Sequence, residues 1–211
     1  MRRSPDADNH MARLDPDYRT FYGETDRLLA LLASTTALSA NHRKIVAEIV
    51  RLRLAILLEN HMKIIFSKLC CGTPYIDGSV PQLLARQASV KAAVNAMQTL
   101  NRAKPIKLSW NDGPRIRDSL VHLVDPTEHC LSVIRNFGAH FTDMRYVRNH
   151  IAHRNDGTRA NFRKLVQRYY GANIGGVTCG VLLLSPRVSV PPLIEVHIRT
   201  SRVLIKDLLK A

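Results

Sequence analysis

The sequence of 211 residues lacks the patterns that mark membrane, secreted and metal-binding proteins. Its four cysteines form no Cys-x-x-Cys pair and show no zinc-ligand spacing, so they predict buried or reduced thiols. No apolar run approaches the roughly 20 residues of a membrane span. The first residues contain no apolar stretch that could serve as a signal peptide. We therefore expect a cytoplasmic protein that has no membrane partner.

The motifs of common cofactor and nucleophile sites are also missing. The sequence contains no P-loop, no Rossmann glycine fingerprint and no nucleophile elbow. Its Asp, Glu, His and Cys residues form no cluster with metal-ligand spacing. No internal repeat and no long low-complexity run occurs. We expect neither a cofactor nor a bound metal, and these absences leave few routes to catalysis.

Acidic residues are scarce. Asp and Glu together number 17 against 31 Lys and Arg, which gives a formal net charge of +14 and a pI near 10.2. Such an excess favours a polyanionic partner, because contacts with phosphates release condensed counterions. Arginine supplies 22 of the basic residues, and its guanidinium fork can bind two phosphate oxygens at once. The charge therefore predicts a polyanionic partner, and solubility or a basic host proteome is the alternative explanation.

Apolar residues recur mostly at helical spacing, which predicts an all-α helical bundle. Residues 1–20 are polar with two prolines and predict a flexible leader, and residues 21–211 are long enough for a single domain. Asn41 is a plausible N-cap for a long helix that reaches about Leu69. Residues 177–184 are the exception and predict a short irregular or strand-like segment. The apolar positions that define the long helix are Ile45, Ile49, Leu52, Ile56 and Leu57.

Four arginines are followed by a histidine at the fifth position, whereas 22 Arg and 9 His predict about one such pair by chance. The pairs are Arg117/His122, Arg135/His140, Arg145/His150 and Arg148/His153. Spacing alone cannot select among them. The last pair is favoured because a polar Asn149 follows its arginine on a clearly amphipathic helix. Arg135/His140 has the same spelling and remains the alternative, although its Gly138 costs about 1 kcal/mol relative to Ala within a helix.

Helical geometry describes how the favoured pair could work. Arg148 and His153 would be about 140° apart around a helix and about 7.5 Å apart along its axis. Arg145, Asn149 and Ala152 would lie between them on the same face. Asn149 and His153 would be i,i+4 neighbours, so the amide could fix the imidazole tautomer. An apolar stripe on another side of the helix would anchor it to the core, and this stripe contains Met144, Val147 and Ile151.

The segment Arg148-Asn-His-Ile-Ala-His153 resembles the active-site motif of the HEPN family of all-helical ribonucleases, in which Arg-Asn-x-x-Ala-His is a common spelling. The resemblance implies a HEPN-like bundle with the motif on a late helix and a homodimer whose two Arg/His sets face each other. It also implies RNA cleavage without a metal, giving 2′,3′-cyclic phosphate and 5′-hydroxyl ends. A toxin or antiphage-defence role would add an inhibitor or antitoxin protein as a partner. A non-catalytic HEPN-like module that binds RNA, a nucleotide or a protein is the alternative.

Further residues are expected to support this site. Arg148, His153 and Asn149 would be catalytic, with Arg145 and His150 as supporting residues. Glu59 on the long helix could orient Arg148 from a neighbouring helix, or it could be an ordinary solvated charge. A basic segment after the motif could contact the RNA backbone, with two tyrosines that stack on bases, or it could be a solvated helix face. Its basic residues are Arg154, Arg159, Arg163, Lys164 and Arg168.

Overall fold

The computed structural model describes residues 13–99, 108–186 and 190–211. These residues form nine α-helices and one short 3-10 helix, and they contain no β-sheet. The prediction of an all-α helical bundle is therefore confirmed. The helices are α1 (Asp15–Ser34), α2 (Ala40–Cys70), α3 (Val90–Thr99), α4 (Gly113–Leu120), α5 (His129–Asn136), α6 (Gly138–Ala152), α7 (Asp156–Tyr170), α8 (Cys179–Leu184) and α9 (Leu193–Leu208).

The first helix begins inside the segment predicted to be a leader. Pro16 lies at the start of α1, where its missing N–H is not needed, and Asp15 and Asp17 place negative charge near the positive end of the helix dipole. Leu14 is buried and belongs to the same apolar core as Leu209 near the other end of the chain. The predicted leader is therefore helical from Asp15 onward. Residues 1–12 lie outside the described residues.

Helix α2 is the central element, and it packs against α1, α3, α6, α8 and α9. Its N-cap is Ser39 rather than the predicted Asn41, since Ser39 Oγ accepts a hydrogen bond from His42 N at 3.4 Å. Apolar residues occur around most of this helix, and three of the five positions that defined it in the sequence face outward, whereas Leu57 is buried. Ile45, Ile49 and Ile56 are 55%, 55% and 52% exposed. The buried face instead contains Ala47, Val50, Leu54, Leu58, Met62 and Ile65.

Residues 179–184 form a short helix, so the prediction of an irregular or strand-like segment over 177–184 was wrong. Thr178 caps α8, since its Oγ1 accepts a hydrogen bond from Val181 N at 3.3 Å. Gly180 lies so close to α2 that a Cβ atom there would be 2.5 Å from the Cβ of Lys44. The missing side chain allows the helix to approach, and the apolar Leu182 and Leu183 are then buried. Six residues are too few for periodicity to separate a helix from a strand.

A buried polar cluster lies between α2, α6 and α9. Arg51 is 0% exposed, its Nη2 donates to the carbonyl oxygen of Met144, and burial lowers its pKa to about 9. The rings of His140 and His197 are 5.7 Å apart, and His140 Nε2 is hydrogen-bonded to Ser201 Oγ at 3.0 Å. The cluster places a cation beside two imidazoles in the core.

No helix within the described ranges combines the length and the apolar character needed to cross a membrane.

Candidate functional site

The favoured histidine lies just beyond the helix that carries its arginine. Helix α6 ends at Ala152, and His153 adopts an extended conformation with φ −142° and ψ 92°. Its N–H donates to Asn149 O at 2.8 Å, which closes the last helical turn, and its side chain is exposed. Because the φ of His153 is not helical, its side chain does not take the direction that a continuous helix would give it. His153 leaves α6 from its C-terminal end instead of lying along its face.

The start of α7 explains this early ending. Asn155 caps α7, since its Oδ1 accepts from Thr158 N at 2.9 Å and its own N–H donates to Thr158 Oγ1 at 3.2 Å. This reciprocal pair is a capping box, and it satisfies two N–H groups that a helix start leaves unpaired. Thr158 Oγ1 also donates to the carbonyl oxygen of His153. The three-residue connection between the helices, residues 153–155, thereby fixes the backbone of His153.

Asn149 bonds the arginine rather than the histidine. Its Oδ1 accepts a hydrogen bond from Arg148 Nη1 at 3.2 Å. The expectation that Asn149 fixes the tautomer of His153 depended on a helix that continues through residue 153, and that condition is not met. The amide of Asn149 instead holds the guanidinium of the preceding residue.

Arg148 and Asn149 line a polar cavity of about 400 Å³ on one side of α6. Glu59, which projects from α2, lines the same cavity, as does Arg145. The fold thus brings together four of the residues singled out in the sequence. The other lining residues are Leu108, Ser109, Asn111, Asp112 and Arg115.

The charges in this cavity are unequally paired. Asp112 is buried and accepts a hydrogen bond from Arg145 Nη1 at 2.6 Å, and Arg115 Nε lies 3.7 Å from the same carboxylate. Glu59 Oε1 accepts a hydrogen bond from Asn111 Nδ2 at 2.5 Å. Among the described residues, no carboxylate lies within 4.0 Å of the guanidinium of Arg148. Arg148 is therefore the cavity arginine whose charge remains available to an anion.

The sequence analysis missed Asn111 and Asp112. Both lie in the loop before α4, where Asp112 is the residue preceding the helix. An Asp before a Gly-Pro pair is typical of a helix start, so the local sequence gave a structural reason for it. Its pairing with Arg145 links positions 33 residues apart in the chain. Only the packing of α4 against α6 reveals that link.

The alternative pair Arg135/His140 does not share a face. Arg135 is exposed in the last turn of α5, whereas His140 is buried in α6. Phe137 separates the two helices, because α5 ends at Asn136 and α6 starts at Gly138. Burial lowers the pKa of His140 to about 3, with the nearby Arg51 charge as a second cause. A buried neutral imidazole is not available to a phosphate at the surface.

Arg145 and His150 face different cavities. Arg145 lines the polar cavity, whereas the ring of His150 stacks on Phe162 with centroids 4.5 Å apart. His150 lines a second pocket of about 330 Å³ between α6, α7 and the loop before α8. Burial and the charges of Arg154 and Arg159 lower the pKa of this imidazole. His150 therefore belongs to a separate site from that of Arg145.

The predicted RNA-binding residues divide into two groups. Arg154, Arg159 and Arg163 line the second pocket. Lys164 is exposed but is not among the residues that line it. Arg168 Nη2 pairs with Asp143 Oδ1 of α6, which offsets its charge. The basic residues of α7 thus do not form one continuous cationic face.

Within residues 13–99, 108–186 and 190–211, no group of three or more His, Cys, Asp or Glu side chains is arranged to hold a metal ion. The four cysteines are free thiols, and burial raises the pKa of each. No family model, no curated protein and no solved structure matches this chain.

Proposed function

We propose that the protein is a metal-independent endoribonuclease of the HEPN type, with Arg148 and His153 as the catalytic pair. One observation carries this proposal. In a polar cavity where Asp112 already pairs with Arg145, the guanidinium of Arg148 is held by an amide and has no carboxylate partner among the described residues. An exposed imidazole follows five residues later at the end of the same helix. The net charge of +14 supports a polyanionic substrate.

The proposed reaction needs little beyond these groups, because RNA carries its own nucleophile. The 2′-oxygen attacks the adjacent phosphorus, the bond to the 5′-oxygen breaks, and a 2′,3′-cyclic phosphate and a 5′-hydroxyl result. One proton leaves the 2′-hydroxyl and one reaches the departing 5′-oxygen. Imidazoles are suited to such transfers near neutral pH. The guanidinium of Arg148 would stabilise the negative charge that develops on the phosphorane oxygens.

The cavity supplies the preorganisation that this role requires. Asn149 fixes the guanidinium of Arg148 by accepting its Nη1 hydrogen bond, and Asn149 and Arg148 lie in the last turns of a packed helix. Glu59 is engaged by Asn111, so it contributes negative charge near Arg148 without pairing with it directly. Donors that are already oriented need no rearrangement as charge develops. We assign Asn149 as a positioning residue for Arg148.

A homodimer would supply the second proton-transfer group. A single His153 serves one side of the reaction, whereas an isologous interface places the same residue of a second copy across the two-fold axis. Ile45, Ile49 and Ile56 form an exposed apolar stripe on α2. Glu59 follows Ile56 by three residues, so the stripe runs beside the polar cavity. If a second copy buried this stripe, the surfaces of α6 that carry Arg148 and Ala152 in the two copies would come together.

The test compares RNA cleavage by the wild type with cleavage by Arg148→Ala and His153→Ala. Loss of a positioned acid or base lowers rates about 10²- to 10⁴-fold, and loss of one charge-stabilising donor about 10²- to 10³-fold. His122→Ala and Arg135→Ala are the matched controls, because they belong to other copies of the same spacing and are exposed. Both controls should cleave like the wild type.

Two outcomes would contradict the proposal. Undiminished cleavage by both Arg148→Ala and His153→Ala would remove the catalytic assignment. A wild-type protein that binds RNA tightly but cleaves none of a varied set of single-stranded and structured RNAs would favour the non-catalytic module. Circular dichroism of each variant separates a lost reaction from a lost fold.

A further inference from the structure

We propose that the second pocket, which lies between α6, α7 and the loop before α8, binds one nucleoside phosphate. The ligand would be either a free mononucleotide or a single nucleotide of an RNA chain. The pocket is separate from the cavity of Arg148, and its lining residues have no part in the proposed cleavage chemistry.

The pocket has two walls of different character. One wall is apolar and includes Phe162 and Val166 of α7 together with Ile174 and Val177 of the following loop. Ile174 is 47% exposed, so its apolar surface is accessible to a ligand in the pocket. The other wall carries guanidinium groups. A ligand that fits both walls has a planar apolar part and an anionic part, as a nucleotide does.

Two of the three arginines keep their charge free for an anion. Arg159 Nη1 lies 3.4 Å from Asp156 Oδ1, so part of its charge is offset. None of the ion pairs found in the described residues includes Arg154 or Arg163. Both side chains are exposed at the pocket, where a phosphate can reach them. Guanidinium groups bind phosphate with two hydrogen bonds, so this pair is well suited to a phosphate group.

His150 supplies a polar group on the inner side of the pocket. Its Nδ1 is buried and has no hydrogen-bond partner among the described residues. The ring stacks on Phe162 with an interplanar angle of 10°. A buried polar atom without a partner costs stability, and a rotation of the ring that turns this nitrogen toward the pocket would let a nucleobase edge bond it. Phe162 is buried behind the imidazole, so the half-buried ring of His150 is the flat surface that a base can reach.

The size and the opening of the pocket also fit one nucleotide. Its volume of about 330 Å³ lies at the lower end of the roughly 300–1,000 Å³ range of small-ligand sites. Gly175 and Gly176 form part of its edge, and a Cβ at either position would meet no atom within 4 Å. The mouth of the pocket is therefore open on that side. Gly176 has φ +74°, so Gly175 is the position at which a larger side chain is tolerated.

If the ligand is one nucleotide of an RNA chain, the inference rests on the proposed function. If the ligand is a free mononucleotide, it does not. Arg154 lines the pocket and directly follows His153 in the chain. A nucleotide held by Arg154 would therefore lie next to the histidine proposed to act on the phosphodiester. In that arrangement the pocket would select the nucleotide beside the cleaved bond.

The experiment measures binding to the folded full chain by titration calorimetry. The probes are the four nucleoside 5′-monophosphates, inorganic phosphate and a short 2′-deoxy-substituted oligonucleotide of RNA sequence that cannot be cleaved. Arg163→Ala and Lys164→Ala form a matched pair, because the residues are adjacent on α7, are exposed and carry the same charge, but only Arg163 lines the pocket. Gly175→Leu fills the open edge without removing any charge.

We expect Arg163→Ala to weaken binding of at least one monophosphate or of the oligonucleotide roughly tenfold, as loss of a charged hydrogen bond does. Lys164→Ala should weaken it much less, and Gly175→Leu should weaken nucleotides more than inorganic phosphate. Binding of a monophosphate identifies a free ligand, and binding of the oligonucleotide alone identifies a substrate nucleotide. Equal effects of Arg163→Ala and Lys164→Ala, or equal affinity for inorganic phosphate and every nucleotide, would overturn the proposal. Cleavage that depends on Arg148 but not on Arg163 would leave the proposed function intact.

Discussion

The buried histidines predict that the protein loses stability as the pH falls below about 7. His140 and His197 lie side by side in the core, and Arg51 is close to both. Burial is the main cause that lowers the pKa of His140 to about 3, and burial followed by Arg51 lowers the pKa of His197 well below its usual value. The ring of His140 therefore stays neutral in the folded protein at pH 5, and burial opposes protonation of His197 in the same direction.

The unfolded chain behaves differently, because its histidines titrate near pH 6.5. Above that pH neither state binds the protons, so the two residues contribute nothing to the pH dependence. Below it the unfolded state binds more protons, and the free energy of unfolding falls as the pH decreases toward 3. At pH 5 the loss is about 2 kcal/mol for His140, and His197 adds a further loss in the same direction. A typical domain has only about 5–15 kcal/mol in total.

Urea unfolding at pH 7 and pH 5 measures this loss, and His197→Leu isolates one residue. Both nitrogens of His197 lack a hydrogen-bond partner among the described residues, so leucine removes the titrating group without breaking a bond. The variant should show a smaller difference in the free energy of unfolding between the two pH values than the wild type. The lowered pKa of His150 acts in the same direction and is common to both proteins. His42→Leu, at an exposed position, is the matched control.

The reasoning would be refuted by equal stability of the wild type at pH 7 and pH 5. It would also be refuted if His197→Leu kept the full pH dependence. Such results would mean that the core histidines accept protons in the folded state. His140 would then be open to protons after all, and Arg135/His140 would return as a candidate pair.

Three other predictions follow from the proposed function and assembly. Cleavage should persist in excess EDTA, because the 2′-hydroxyl, Arg148 and His153 supply the reaction, and a strict requirement for an added divalent metal would contradict this mechanism. RNA affinity should fall steeply with salt: the logarithm of the association constant should fall by about 0.7 for each phosphate contact per tenfold increase in salt concentration. A flat response in a filter-binding titration would mean that the basic surface serves another purpose. Ile49→Asp should shift the protein from dimer to monomer in sedimentation velocity. Because Ile49 is 55% exposed in the single chain, the substitution should reduce cleavage more than it reduces thermal stability. Full cleavage by a strictly monomeric wild type would contradict the proposed dimer.

Local signals in the sequence are sufficient to locate a helix boundary where that boundary depends on neighbouring residues alone. Asn155 with Thr158 forms a capping box, and this box starts α7 at Asp156. The basic segment that follows is helical up to Tyr170, where Gly171 adopts φ +73°. A left-handed residue at a helix end is a position that glycine occupies most easily. These signals act within one helical turn, so they can be recognised in the sequence without knowledge of the fold.

The same local capping box also determines where α6 ends. By starting α7 at Asp156, it ends α6 at Ala152 and removes His153 from the helix. The spacing of Arg148 and His153 was recognised, but the geometry assigned to it assumed a continuous helix. Two adjacent local preferences competed for residues 153–155, and the cap of the second helix prevailed because it satisfies otherwise unpaired N–H groups.

By itself, then, the sequence determined the all-α class, most helix positions, the basic charge and the motif that led to Arg148. Tertiary structure alone decided which side of α2 is buried, because that helix carries apolar residues on several faces and periodicity cannot rank them. It also placed Glu59 beside Arg148 and paired Asp112 with Arg145. Contacts between residues far apart in the chain depend on how whole helices pack, and no short window of sequence records that packing.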